Sequence, residues 1–261
     1  MTTSLLSEAA MVMTWPAFDP SGNQGPNPHR ESRLLIICGA NPLGSSLISY
    51  LLQSTNVQIA HLARETGNPL SFAAEYRRYR CYPDASSEIR TLRNLLFEFE
   101  PDAVLYLADR EDPQEATTPL RIRCHLESIQ WYWSELEEPR KSHFRFHHIG
   151  MSDAPLLGSH QTKPNLNGLT APTSERLAQA WGVVFGLPTI VTHCLGKDHD
   201  NGRRNPAASP FPAKAFAKAI LEILIRGQAG GTYYLSQQTA TNDRSPTQTY
   251  RANRRRVPDY S

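Results

Sequence analysis

Hydrophobic positions along the chain follow two different periods. Short apolar runs at 33–38 (RLLIIC), 57–64 (VQIAHLAR), 101–109 (PDAVLYLAD), 144–150 (FRFHHIG), 187–194 (LPTIVTHC) and 231–236 (GTYYLS) read as buried strands. Between them, apolar residues recur every three or four positions. Leu47, Ile48, Leu51 and Leu52 make one such face, and Ile89, Leu92, Leu95, Leu96 and Phe99 make another. Further helices are expected at about 118–138, ended by Pro139, at 174–186, with Gly186 as a left-handed cap, and at 213–227. Strands alternate with helices from residue 33 to 236 without an internal repeat. That order predicts an α/β fold, a doubly wound and mostly parallel sheet.

Composition refines this picture only in places. The 261 residues are 39% hydrophobic, enough for a sizeable core. Net charge is +2, which excludes a global nucleic-acid footprint. The balance is uneven, because residues 243–261 hold five Arg and two Asp, leaving the body close to neutral. No apolar run approaches the roughly 18–20 residues of a membrane span, so no membrane partner is expected. The first residues carry no Lys or Arg ahead of their apolar patch, which speaks against a secretory signal. Cys38, Cys81, Cys124 and Cys194 are widely spaced without CxxC pairs, implying reduced thiols, a cytoplasmic setting and no zinc. The expected organisation is a Pro-rich flexible leader (1–31), a Rossmann-like domain (32–205), a small C-terminal lobe packed on it (206–240) and a basic flexible tail (241–261).

Four stretches taken together, RLLIICGANPLGSSLISYLL, FEFEPDAVLYLAD, FRFHHIGMSDAP and LAQAWGVVFGLPTIVTHC, resemble the extended short-chain dehydrogenase/reductase (NAD-dependent epimerase/dehydratase) family. Within it the likeness is to the dTDP-glucose 4,6-dehydratases. A fifth stretch, AFAKAILEILIRGQAGGTYYLS, is similar to the segment leading into the family's last sheet strand. The resemblance runs from about 33 to 240 and implies a Rossmann-like fold with a reduced C-terminal lobe. The interval between THCLGKD and SPFPAKAFAKAI is far shorter than the family's, which shrinks the part that encloses a nucleotide-sugar.

The resemblance also assigns positions. The family's dinucleotide loop, T-G-x-x-G-x-x-G, falls on Ile37–Gly44: Cys38 and Asn41 replace two glycines, Gly44 keeps the third, and Gly39 lies one place off. The ribose-binding acid falls on Ala63, beside Arg64, which either meets a 2′-phosphate or is a solvated loop arginine. Asp84 is the candidate for the adenine contact. Gly39, Gly44, Arg64 and Asp84 are thus the cofactor-site candidates. No cofactor is expected, and NAD or NADP enters only if the altered loop still admits a pyrophosphate. The Tyr and Lys of the redox pair Y-x-x-x-K fall on Asn167 and Ala171, and residues 154–186 contain no Tyr. The T-D-E triplet falls on Met151-Ser152-Asp153, or on Ser152-Asp153-Ala154. One carboxylate then stands where opposed acid and base work needs two. Asp153, Ser152 and His148 are the catalytic candidates, with Asp153 read either as an acid/base or as an Asx-type loop cap.

Other constellations are less specific. His147 and His148 are adjacent in a strand, so their side chains leave opposite faces and cannot share a metal. DHDNG (198–202) lacks the spacing of a calcium loop. No metal site is expected. His160 and His193 are further general-base candidates. The WYW run at 131–133, within helix 118–138, serves either a homodimer or heteromeric partner or burial against the sheet. The arginines of 251–261 have no interleaved aromatic platform, so no specific nucleic acid is expected.

Two function classes stay open. One is a non-redox pseudoenzyme, a binding or accessory subunit in a biosynthetic pathway. The other is a cofactor-independent lyase, isomerase or cyclase working in the inherited cleft on an unknown small molecule. A third reading keeps an active nucleotide-sugar dehydratase, which would have to replace a general base typically worth about 10²–10⁴-fold.

Overall fold

The computed structural model describes residues 32–37, 42–63, 76–83, 89–108, 118–152, 171–195 and 213–236. The leader 1–31 and the tail 241–261 lie outside them. Strands β1 (Arg33–Ile37), β2 (Gln58–Ala63), β3 (Tyr79–Pro83), β4 (Ala103–Leu107), β5 (Arg145–Ser152), β6 (Thr189–Leu195) and β7 (Thr232–Ser236) form one sheet in the order β3-β2-β1-β4-β5-β6-β7. Every pairing is parallel. The order reverses between β1 and β4, as in doubly wound nucleotide-binding folds. Helices α1 (Pro42–Ser54) and α6 (Ala213–Arg226) cover one face; α2 (Ile89–Phe99), α3 (Thr118–Ser134) and α5 (Ala171–Phe185) cover the other.

The continuous apolar runs are explained by this burial on both faces. Leu34 and Ile36 point into the core under α1 and α6, whereas Leu35 and Ile37 point into the core under α2, α3 and α5. Both cores are closed by the helix faces that the three-to-four spacing marks: Leu47, Ile48, Leu51 and Leu52 on one side, Leu92, Leu95, Leu96 and Phe99 on the other. Phe216, Ile220 and Leu224 of α6 join the α1 side, so the C-terminal segment shares the first core. Pro42 opens α1, a position where its missing N–H costs nothing. Gly186 follows α5 at φ +73°, the left-handed cap its place in the sequence implies.

Two elements differ from the sequence expectation. Strand β3 was not anticipated, because Arg80 and Pro83 dilute its apolar signal; it sits at the sheet edge, where a proline is tolerated. The helix expected over 118–138 ends at Ser134, and a separate turn, α4 (Arg140–His143), follows. Side chains terminate it before Pro139 acts: Lys141 Nζ donates to Ser134 O at 2.8 Å, and Trp133 Nε1 donates to Lys141 O at 3.2 Å. Helix α2 also ends unusually, with Glu100 at φ +48°. Arg33 Nη1 reaches both Phe99 O and Glu100 Oε2 at 3.1 Å, and Arg140 Nη2 donates to Glu100 O at 3.2 Å. Two arginines thus satisfy the negative end of this helix.

Candidate functional site

In an open parallel sheet, ligands collect at the carboxyl ends of the strands, near the point where the order reverses. At that end, on the face covered by α3 and α5, polar side chains gather on the strands that follow the reversal. Strand β4 contributes Tyr106, β5 contributes His148 and Gly150, and β6 contributes His193. Register places Tyr106 beside His148 and Gly150 beside His193. Alternation along the strands sends His147 to the opposite face, where its Nε2 lies 2.7 Å from Thr192 Oγ1.

His193 meets a carboxylate. Its Nε2 lies 3.0 Å from Glu175 Oε1, with only 8% and 18% of the two side chains exposed. Glu175 stands one turn into α5, and Gln179 Nε2 donates to the same oxygen at 3.2 Å. A carboxylate so placed fixes the imidazole's orientation and favours Nε2 as the N–H-bearing nitrogen. Behind the pair, His148 lies on Tyr106, ring centroids 5.5 Å apart and planes 11° from parallel. His148 is 1% exposed, and neither ring nitrogen has a hydrogen-bond partner. Burial, then the nearby His193, pushes its pKa down to about 3, so the ring is neutral at ordinary pH.

Among the sequence candidates, His148 falls in this cluster and Ser152 ends β5, paired in register with Leu195. Gly44 is buried in the first turn of α1, where a glycine lets a helix approach the sheet. Gly39, Arg64, Asp84, Asp153, His160, Asn167 and the DHDNG run lie outside the described residues. Ala63 closes β2, 5% exposed and paired with Pro83. The histidine–carboxylate pair lies between His193 and Glu175. Sequence reasoning named His193 but missed Glu175 and Tyr106, because the i-to-j distance of such a pair is set only when α5 packs beside β6. Among the described residues, no three His, Cys, Asp or Glu side chains stand together as metal ligands. A separate cavity of about 230 Å³, lined by Arg77, Arg78 and Arg80, opens at the other end of β2 and β3. Arg78 is engaged there by Leu52 O and Thr55 O at the end of α1.

No protein-family model matches the chain. A dTDP-glucose 4,6-dehydratase of Salmonella typhimurium is 28% identical over 223 residues, covering 74% of this chain and 60% of that protein. In sequence the chain is similar to the dTDP-glucose 4,6-dehydratases. It spans 60% of the length of that curated relative. The dTDP-glucose 4,6-dehydratase of Bacillus anthracis, solved in complex with NAD, superposes with a TM-score of 0.62 at 16% identity, over 78% of this chain and 75% of its own. The UDP-glucose 4-epimerase of Thermus thermophilus, also in complex with NAD, gives 0.56 at 15% identity, over 77% and 76%. The fold is that of the dehydratase and epimerase structures, and the polar cluster occupies the carboxyl end of its sheet. No helix among the described residues is long and apolar enough to cross a membrane.

Proposed function

We propose that this chain is a non-redox relative of the nucleotide-sugar dehydratases, a binding or accessory subunit in a biosynthetic pathway. The start of α5 carries the reading. Counting back from Gly186 and the LPTIVTHC strand puts the family's lysine at Ala171, the first residue of α5, and its tyrosine at Asn167. A methyl group supplies no charge to lower a partner's pKa, and an amide takes no proton at neutral pH. The first titratable side chain along α5, Glu175, is already engaged with His193.

The cofactor end supports the same reading. The related dehydratase and epimerase structures are complexes with NAD. Ala63, the position that the resemblance gives to the ribose-binding acid, carries a methyl group that supplies no hydrogen bond to a ribose hydroxyl. The free thiols of Cys81, Cys124 and Cys194 suit a reducing, cytoplasmic setting.

The partner in this reading is a second copy of the chain, seated on α3 and α5. Trp131 is 36%, Val184 69% and Phe185 50% exposed, a run of large apolar groups that water would otherwise cover. Phe97 and Trp131 stack at 4.8 Å beside them. A second reading, a cofactor-independent lyase, isomerase or cyclase, is favoured by the His193–Glu175 pair alone, a geometry suited to moving a proton.

Native mass spectrometry of the full chain, with NAD and NADP added separately, tests the proposal. The expected spectrum is a dimer without dinucleotide. A stoichiometric NAD complex that turns over dTDP-glucose would overturn it.

A further inference from the structure

Arginines gather round one hollow at the amino end of the sheet. Arg77, Arg78 and Arg80, with Gln58, Ile59 and Phe99, line the cavity of about 230 Å³ beside the first residues of β2 and β3. No acidic side chain lines it. Glu100, next to Phe99 in sequence, already pairs with Arg33 and Arg140, and Asp102 Oδ2 accepts from the Arg33 N–H. Arg77 and Arg80 are exposed, and neither meets a carboxylate among the described residues. Arg78 is anchored: Nη1 donates to Thr55 O at 2.5 Å and Val57 O at 3.4 Å, and Nη2 donates to Leu52 O at 2.9 Å. A guanidinium has more N–H groups than these carbonyls take, so the anchored side chain keeps donors to offer. Ile59 and Phe99, both buried, supply an apolar wall that concentrates the field of the like charges.

We propose that this cavity is a binding site for a phosphoryl group, free as inorganic phosphate or carried by a small molecule. Arginine forks pair with phosphate oxygens two at a time, and a guanidinium anchored beforehand, as in Arg78, lowers the ordering cost of binding. A tetrahedral dianion accepts from donors arriving on several sides, whereas a carboxylate offers two coplanar oxygens and a single charge. The volume limits what the phosphoryl group carries. Sites for drug-sized ligands span about 300–1,000 Å³, so a short stub fits here and a dinucleotide does not. The site lies at the opposite end of the strands from the polar cluster of β4, β5 and β6, and it is independent of whether that end takes NAD.

Calorimetry on the full chain in phosphate-free buffer tests it, with inorganic phosphate, glycerol 3-phosphate and acetate as probes. Saturable phosphate binding is expected at millimolar concentrations or below, weakening as sodium chloride rises, with none for acetate. Arg77→Gln and Arg80→Gln alter exposed side chains, so each should keep the dichroism spectrum while raising the dissociation constant about tenfold. The double variant should bind no phosphate. Arg90→Gln removes the same charge from an exposed position at the far end of α2 from Phe99, and should leave the affinity within about twofold. Glycerol 3-phosphate binding at least as tightly as phosphate identifies an esterified ligand, and weaker binding identifies free phosphate. An equal loss in Arg90→Gln would reduce the site to diffuse charge and overturn it. Undiminished affinity in the double variant, acetate binding as tight as phosphate, or no saturable binding of either phosphate would overturn it too.

Discussion

The imidazole of His148 lies flat on the phenol ring of Tyr106, 5.5 Å between centroids and 11° from parallel. The two residues are register partners on β4 and β5, so the stack is a direct product of strand pairing. It holds a neutral histidine against an aromatic wall at the end of the sheet where ligands of this fold collect.

Acid should destabilise the protein early. Burial lowers the pKa of His61 to about 4 and of His147 and His148 to about 3. Each binds its proton more weakly when folded than when unfolded, near 6.5. Their neutral burial therefore contributes fully above about pH 6.5, and the contribution falls as pH drops towards 3–4. The slope is about 1.4 kcal/mol per pH unit for each such group. Urea unfolding should show a lower midpoint at about pH 5 than at about pH 7.5; equal midpoints would contradict the neutral burial.

The His193–Glu175 contact should register as a coupling energy. Each of His193→Gln and Glu175→Gln removes the 3.0 Å contact from a largely buried pair, a loss of about 1–3 kcal/mol. The double variant should cost clearly less than the sum of the two, because its residues share one interaction. Strict additivity in a thermal or denaturant cycle would show that the contact contributes nothing.

Glu100 separates backbone strain from charge. Its φ of +48° costs a residue with a Cβ about 1–2 kcal/mol, and its carboxylate faces Arg33 at 3.1 Å and Arg140 at 3.6 Å. These half-exposed pairs are worth about 0.2–1 kcal/mol each. Glu100→Ala loses the pairs and keeps the strain, so it should destabilise. Glu100→Gly loses the pairs and relieves the strain, so its melting temperature should lie above that of the alanine variant. The reverse order would refute the strain.

Val184→Glu tests the proposed dimer face. Val184 is 69% exposed, so a charge there should change stability by no more than about 0.5 kcal/mol. Sedimentation should show a shift towards monomer. An unchanged mass would move the partner surface elsewhere.

Much of the fold was legible because burial leaves a periodic trace. Leu34–Ile37, Ala103–Leu107 and the Leu92–Phe99 face are apolar since each meets a helix or the sheet, and Gly186 marks its own turn. Tyr79–Pro83 was not legible, because an edge strand needs only one neighbour and tolerates Arg and Pro. The early end of α3 was hidden as well, being set by Lys141 from beyond the helix.

The sequence by itself determined the alternation of strands and helices, the likeness to the dehydratases, and the residues standing at the family's motif positions. These are properties of order and type along one dimension. Only the tertiary structure decided which polar groups meet. Glu175 and His193 are 18 residues apart and touch because α5 packs over β6; Tyr106 and His148 are 42 apart and stack because β4 pairs with β5. Hydrogen bonds and ring contacts act over a few ångströms, and strand register fixes which residues come within that reach.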